Sequence, residues 1–359
     1  MSPEDSTVGP TLAEVTQLEQ LRSMVESEFT IEESFLQHGV PTFHVKLGQN
    51  SKDAFLRLFR RLDALNYVPV LRKRESNLVL RIIAKPVVRP DNYITNVGLF
   101  LATMATTFIT GYVLSIEWVE KNLMPNPWYG ALSFTVAIMA ILGSHEMAHK
   151  LAAKKHDVEA SYPYFIPGPP APIGIGTFGA VIRQKSLAPN KDALFDLGIS
   201  GPVIGFLITI IVTIIGVQLS RLIPEAPVGA QLLPIPMLFV FITSIFPPSG
   251  TGKIVWLHPV AFAGWVGMLV TMLNLIPAGM LDGGHAARGL MGRTARTVLS
   301  FLAILLLLFL GHYLFALIAF FFSLHEHPGP LDDVSNLSPG RKLASIAIVA
   351  IFILTVVSF

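Results

Sequence analysis

The chain of 359 residues contains no cysteine, which excludes disulfides and thiolate metal sites. Charge is scarce too: only 14% of residues are Asp, Glu, Lys or Arg, against about 25% in an average soluble protein. With 52% apolar residues, that shortage defines a membrane protein. No apolar core follows the acidic N-terminus, so no signal peptide is expected. The net charge of +2 hides an asymmetry. Residues 1–40 hold eight acidic residues against Arg22 alone, and residues 41–90 hold eleven Lys or Arg against Asp53, Asp63 and Glu75. The basic stretch runs straight into the first apolar segment and has no nucleic-acid footprint, so nucleic acid is not expected as a partner.

Residues 1–90 read as a soluble cytoplasmic α+β domain, with 1–10 disordered. Leu12, Val15, Leu18 and Leu21 have helical spacing over 11–28. A β-α-β-β pattern follows: a strand over 41–47, a helix from Ser51 to about Asn66, and strands near 67–72 and 78–84 joined by a turn at Glu75-Ser76-Asn77. Ala54, Phe55, Leu58, Phe59 and Leu62 share one face of that helix. His38 and His44 are read as surface or packing residues. Residues 91–359 read as a transmembrane domain. Its apolar segments are about 94–116, 129–149, 197–219, 232–246, 259–276, 297–322 and 343–359. The 15-residue segment 232–246 contains Pro234 and Pro236 and is expected to be re-entrant or interfacial, which leaves six crossings. Placing the N-terminal domain in the cytoplasm puts fifteen basic residues of the flanking loops inside. Lys121, Arg221, Lys253, Arg341 and Lys342 are then outside. The loops bearing Glu225, Glu326, Asp332 and Asp333 are also assigned outside. The expectation is a multi-pass protein of a prokaryotic cell membrane.

Near the end of the second segment stands Gly143-Ser144-His145-Glu146-Met147-Ala148-His149. On a helix His145 and His149 share a face and can hold one metal ion, and Glu146 can reach a water on it as general base. His145 lies 17 residues beyond Trp128, about 25 Å into a core about 30 Å thick, nearer the cytoplasmic side. Polar residues at that depth are costly and point to function. A catalytic zinc site needs a third protein ligand. Asp192 and Asp196 sit just before a span, where a helix dipole explains them. Asp282 is the one acid between Glu225 and Glu326, in Asn274-Leu275-Ile276-Pro277-Ala278-Gly279-Met280-Leu281-Asp282-Gly283-Gly284-His285. Pro277, Gly279, Gly283 and Gly284 break the helix there, and irregular backbone at membrane depth lines a cavity or is buried in protein. His149 and Asp282 reach one depth only if the chain between them crosses an even number of times. Segments 197–219 and 259–276 do so, without 232–246.

The two motifs together resemble the site-2 protease family of intramembrane zinc metalloproteases, over about 94–322, with a core at about 128–290. The resemblance implies one Zn2+ per chain on His145, His149 and Asp282, with Glu146 as base and Asn274 beside the scissile carbonyl. A buried neutral amide there also suits an oxyanion stabiliser on chemical grounds. Residues 174–183, from Gly174 to Arg183, resemble the family's membrane-associated strand. Gly176, Thr177, Phe178, Gly179, Ala180, Val181 and Ile182 are therefore expected to bind substrate, because a peptide bond must leave its helix before it is cut and can then pair with an exposed strand. The nearby Pro163, Pro167, Pro169, Pro170 and Pro172 suit a re-entrant loop. Gly198-Ile199-Ser200-Gly201-Pro202 stands where the family has a Gly-Pro motif, with Gly205 where that motif commonly ends in Asn. The N-terminal domain loosely resembles extensions of archaeal and plant-type members. The implied substrate is a transmembrane helix of another protein within the lipid bilayer.

Other classes compete. Gly198-Ile199-Ser200-Gly201 also fits the G-x-S-G of rhomboid serine proteases, with His285 as partner of Ser200, but that leaves the His145–His149 helix unexplained. Zinc proteases with a Glu ligand on an E-x-x-x-D helix lack that helix here. A transporter or an inactive metal-binding membrane protein would not need Glu146, both His and Asp282 together. His156, His258, His312, His325 and His327 are read as interface or loop residues, with His325-Glu326-His327 on the side opposite the site.

Overall fold

The computed structural model describes residues 12–75, 77–87, 90–226, 232–324 and 327–356. The expected disordered lead, Ser76 of the expected turn, and His325 and Glu326 lie outside these. The chain divides into two units, one of residues 1–88 with 189–191 and 330–336, the other holding the remainder.

In the first unit, helix α1 (Leu12–Glu26) precedes strands β1 (Thr30–Gln37) and β2 (Val40–Lys46), helix α2 (Ser51–Asp63) and strands β3 (Tyr67–Arg74) and β4 (Asn77–Ala84). The strands form an antiparallel sheet in the order β1-β2-β4-β3. Ala54, Phe55, Leu58, Phe59 and Leu62 of α2 are buried, the face its spacing predicts, in one core with Phe43, Leu71, Leu80 and Ile82. Strand β1 is absent from the expected pattern. Its register shifts between Ile31 and Glu33, so the two-residue alternation that would have marked it is broken. It joins β2 through His38-Gly39, both with positive φ, the two-residue turn that matches strand twist. His44 packs edge-on against Phe35 and pairs with Glu33 at 3.1 Å.

The outer edge of β3 is covered by residues 331–333. The Leu71 amide donates to the Leu331 carbonyl at 2.9 Å, and the Asp333 amide donates to the Leu71 carbonyl at 3.3 Å. Leu331 enters the core, and Arg72 donates to its carbonyl at 2.6 Å. Asp332 is fully buried: its amide donates to the Pro189 carbonyl, and its carboxylate accepts from the Val334 and Ser335 amides. Asp332 and Asp333 therefore do not stand apart from this unit, as their assignment to an outside loop expected. They are part of it.

The second unit is largely helical. Helices α3 (Tyr93–Glu120), α4 (Pro127–Lys155) and α5 (Lys191–Leu219) are, among the described residues, the three long and apolar enough to cross a membrane. Between α4 and α5 lies an antiparallel ribbon of β5 (Tyr164–Pro167) and β6 (Thr177–Val181). The proline-bearing stretch expected to be a re-entrant loop thus contributes a strand. After α5 come β7 (Arg221–Ile223), α6 (Met237–Ile245), β8 (Ser249–Gly250), β9 (Ile254–Trp256) and α7 (Pro259–Leu275). The nine residues of α6 rise about 14 Å, far short of a bilayer core. Strand β7 follows α5 and pairs with β9, which precedes α7, so the end of α5 and the start of α7 lie together.

The chain ends with α8 (Asp282–Leu290), α9 (Arg293–Phe309), α10 (Tyr313–Ser323) and α11 (Pro339–Thr355). The expected span 297–322 is not one helix. Gly311 takes φ +84, the Gly311 amide donates to the Leu308 carbonyl, and the His312 amide donates to the Leu307 carbonyl, a Schellman stop. The chain then reverses. Arg296 in the first turn of α9 donates to the Gly279 carbonyl at 3.4 Å and Ser300, at the middle of that helix, donates to the Pro277 carbonyl at 2.8 Å, while a Cβ on Gly279 would lie 2.6 Å from that of Phe322, near the end of α10. The start of α9 and the end of α10 thus meet one loop.

The start of α11 meets the start of α5. Arg341 grips Asp196 through two bonds of 2.7 Å, and Asp192 accepts from the Ser338 amide and hydroxyl. His156 also meets Asp196, at 2.8 Å. Asp192 and Asp196 therefore anchor α11, beyond any dipole effect. Arg341, expected outside from sequence, thus contacts the start of α5, whose flanking loop was expected inside.

Candidate metal and catalytic centre

Asn126 caps α4 by accepting from the Trp128 amide, Pro127 starts the helix, and apolar residues bury one side of it. That side carries His145, Glu146 and His149, all buried. Asp282 is the first residue of α8, where a carboxylate is favoured by the helix dipole. The loop leading to it is pinned by Ser300 on the Pro277 carbonyl and by Arg296 on the Gly279 carbonyl at 3.4 Å.

The structure brings the two histidines and Asp282 together across 137 positions of sequence. His145 Nε2 and His149 Nε2 are 3.1 Å apart, and each lies 3.2 Å from Asp282 Oδ2. Four ligands around zinc at about 2.0 Å stand about 3.3 Å from one another, so the triangle has the size of one face of that tetrahedron. The donor chemistry agrees. His149 Nδ1 lies 2.7 Å from the Leu197 carbonyl, which can only accept, so Nδ1 carries a proton, and in the neutral ring Nε2 is the nitrogen free to ligate a metal. Two neutral imidazoles and a carboxylate at that separation can share one cation. Among the described residues this is the one such group of three metal-ligand side chains.

Two further groups border the triangle. Asn274 Nδ2 lies 3.5 Å from His145 Nε2. The backbone of Ile182 approaches the Glu146 carboxylate. Arg183 and Lys185 bond toward 159–161, so strand alternation turns the backbone of Ile182 to the other edge of the ribbon, the edge that meets Glu146. Of the expected substrate-binding residues, Thr177 to Val181 form β6 and Ile182 follows it. Gly176 precedes the strand, and its carbonyl accepts from Thr106 at 2.6 Å. Phe178 is 73% exposed and Val181 50%.

Helix α5 contributes backbone, which sequence reasoning missed. Besides the Leu197 carbonyl, it brings Gly201 so close that a Cβ there would overlap His149 Nε2 and lie 2.7 Å from His145 Nε2. At Gly205 a Cβ would lie 3.0 Å from His145 Nδ1. The signal was available: Gly198, Gly201 and Gly205 fall on one helical face. The serine pairing is not formed. Ser200 donates to the Leu197 carbonyl and lies 3.4 Å from His149, whereas His285 Nδ1 meets His327 Nε2 at 2.7 Å. His327 is thus on the site's side, not the opposite one. His258 caps α7 by accepting from the Val260 amide and packs against Trp118.

Long apolar helices enclosing two imidazoles, one carboxylate and an adjacent second carboxylate define a membrane protein with a metallohydrolase-type donor set. Residues 133–318 match Peptidase family M50, and the chain belongs to that family, the site-2 proteases. It is 33% identical over 174 residues to the probable zinc metalloprotease EGY1 of Arabidopsis thaliana, a match covering 46% of this chain and 30% of that protein. Against EGY1 of Oryza sativa subsp. japonica it is 33% identical over 245 residues, 63% of this chain and 40% of the relative. EGY3 of Arabidopsis thaliana, a probable zinc metallopeptidase, is 28% identical over 236 residues, 61% of this chain and 39% of the relative. The chain thus spans less than half the length of these relatives. All three are chloroplastic plant proteins, in contrast to the prokaryotic cell membrane expected from sequence. No solved structure matches it.

Proposed function

We propose that the chain is an intramembrane zinc endopeptidase that hydrolyses a peptide bond in or near a transmembrane helix of another membrane protein. The observation that carries this is the convergence of His145, His149 and Asp282 at 3.1–3.2 Å with Glu146 beside them. Those three residues would hold the zinc, which when bound supplies Lewis acidity and a water acidic enough to ionise near neutral pH.

The remaining work falls to the chain itself. The open edge of β6 pairs with an unwound stretch of substrate and fixes its carbonyl near the centre. The Glu146 carboxylate takes a proton from the attacking water and returns it to the departing amine. The Asn274 amide donates to the oxygen that gains charge as the carbonyl is attacked. Leu197 keeps His149 in the tautomer that offers Nε2 to the metal. Helices α3, α4, α5, α7 and α11 cross the bilayer with the N-terminal unit cytoplasmic, and α9–α10 dips in and returns.

The test is cleavage of a transmembrane substrate in vesicles by the wild type and by Glu146→Gln. Loss of cleavage by 10²-fold or more, with zinc content unchanged, supports the assignment. Cleavage at the wild-type rate removes Glu146 from the chemistry.

A further inference from the structure

Glu146, Lys150 and Lys154 recur every fourth residue of α4 and share one face of it. The ribbon that brings β6 past Glu146 does not end at Ile182. The Ser161 amide donates to the Arg183 carbonyl at 2.9 Å, the Lys185 amide donates to the Glu159 carbonyl at 2.7 Å, and Ala160 stands opposite Gln184. Between this continuation and the last turns of α4 lies a cleft of about 300 Å³ lined by Lys150, Lys154, Val158, Glu159, Ala160 and Lys185. Its lining holds three lysines against one glutamate. Two of them are held: Lys150 donates to the Ala160 carbonyl and lies 4.8 Å from the Tyr162 ring centroid, and Lys185 pairs with Asp91 at 2.8 Å. Lys154, in the last turn of α4, is exposed.

We infer that this cleft is a charge-selective subsite for the substrate segment on the cytoplasmic side of the scissile bond, and that it takes acidic side chains. The inference rests on the proposed protease function. An extended chain paired with the open edge of β6 advances about 3.3 Å per residue. From the level of Ile182 beside Glu146 it reaches the level of Lys185 in three residues, roughly 10 Å. A Glu or Asp there meets the lysines. A Lys or Arg is repelled, and most membrane helices carry such residues on their cytoplasmic flank. The cleft therefore rejects the common flank and admits the uncommon one, which is specificity obtained by repulsion as much as by attraction.

Binding rather than cleavage tests this independently of turnover. The full chain carrying Glu146→Gln, in detergent micelles, is titrated with three fluorescent transmembrane peptides. They differ only in the cytoplasmic-side flank, which is a short run of glutamates, of glutamines or of lysines. The expected order of affinity is the glutamate flank over the glutamine flank over the lysine flank, with about fivefold between the extremes at low salt, shrinking at high salt. Lys154→Glu removes or inverts the order, and Lys154→Met narrows it. Equal affinities, absence of binding, or an order unchanged by Lys154→Glu overturns the inference. So does a cleft that binds anionic-lipid vesicles in a Lys154-dependent way while ignoring peptide charge. If the charge order holds but the wild type cleaves none of the peptides, the subsite stands and the protease reading fails.

Discussion

At the residue scale, the site is a small volume in which every donor is oriented by something else. His149 is oriented by the Leu197 carbonyl, Asp282 by the start of α8 and the pinned loop before it, and both histidines by the absence of side chains at Gly201 and Gly205. Gly201→Ala is therefore as damaging as loss of a ligand. Its methyl group would occupy the space of His149 Nε2, and zinc content should fall at least tenfold while the protein still inserts in the membrane. Ser200→Ala, one position away, removes a bond to its own helix and a long 3.4 Å contact with His149 Nδ1, which the Leu197 carbonyl still holds at 2.7 Å, and should leave cleavage within about twofold of wild type. Inactivation by that change would revive the serine mechanism. Much of the site was legible in the sequence because metal chemistry restricts the residue types: H-E-x-x-H needs a helix, and Asp282 stood out as an isolated acid among glycines and a proline. The α5 backbone was not legible in that way, since a carbonyl and missing side chains carry no chemical label.

At the element scale, the instructive case is the α9–α10 hairpin. Its apolar run is long enough for a span, and hydropathy cannot see that Gly311 stops one helix and His312 starts another. Reading it as a crossing displaces everything after it. Asp332, His327 and Arg341 then fall on the wrong side, although each contacts residues assigned inside. Because the chain has no native cysteine, single-cysteine labelling gives a clean test. Asn336→Cys should react with an impermeant maleimide from the same face as Lys52→Cys and opposite to Lys253→Cys. Labelling at position 336 from the face that labels Lys253→Cys would restore the continuous span. The hairpin also braces the loop that carries Asp282. Ser300→Ala removes the bond to Pro277 and should lower kcat several-fold with little change in KM, at a stability cost of about 1 kcal/mol. An unchanged kcat would leave Ser300 a packing residue.

At the scale of the whole molecule, composition and charge settle less than the motifs but agree with them. Under the proposed topology Arg341 and Lys342 join the basic residues on the side of the N-terminal unit, the distribution that the positive-inside rule associates with a cytoplasmic face. That unit's sheet takes residues 331–333 as an added edge, although they lie more than 250 positions from its helix α2. No local pattern announces such a contact, because Leu331 and Asp332 look like any loop.

The central claim is that one zinc ion is held jointly by α4 and the distant Asp282. The most direct measurement is the metal content of the purified protein beside that of its Asp282→Asn variant. About one zinc per chain in the wild type, with most of it lost on dialysis of the variant under the same conditions, is the predicted result. Full zinc occupancy in Asp282→Asn, or a wild-type protein that binds none, would contradict it.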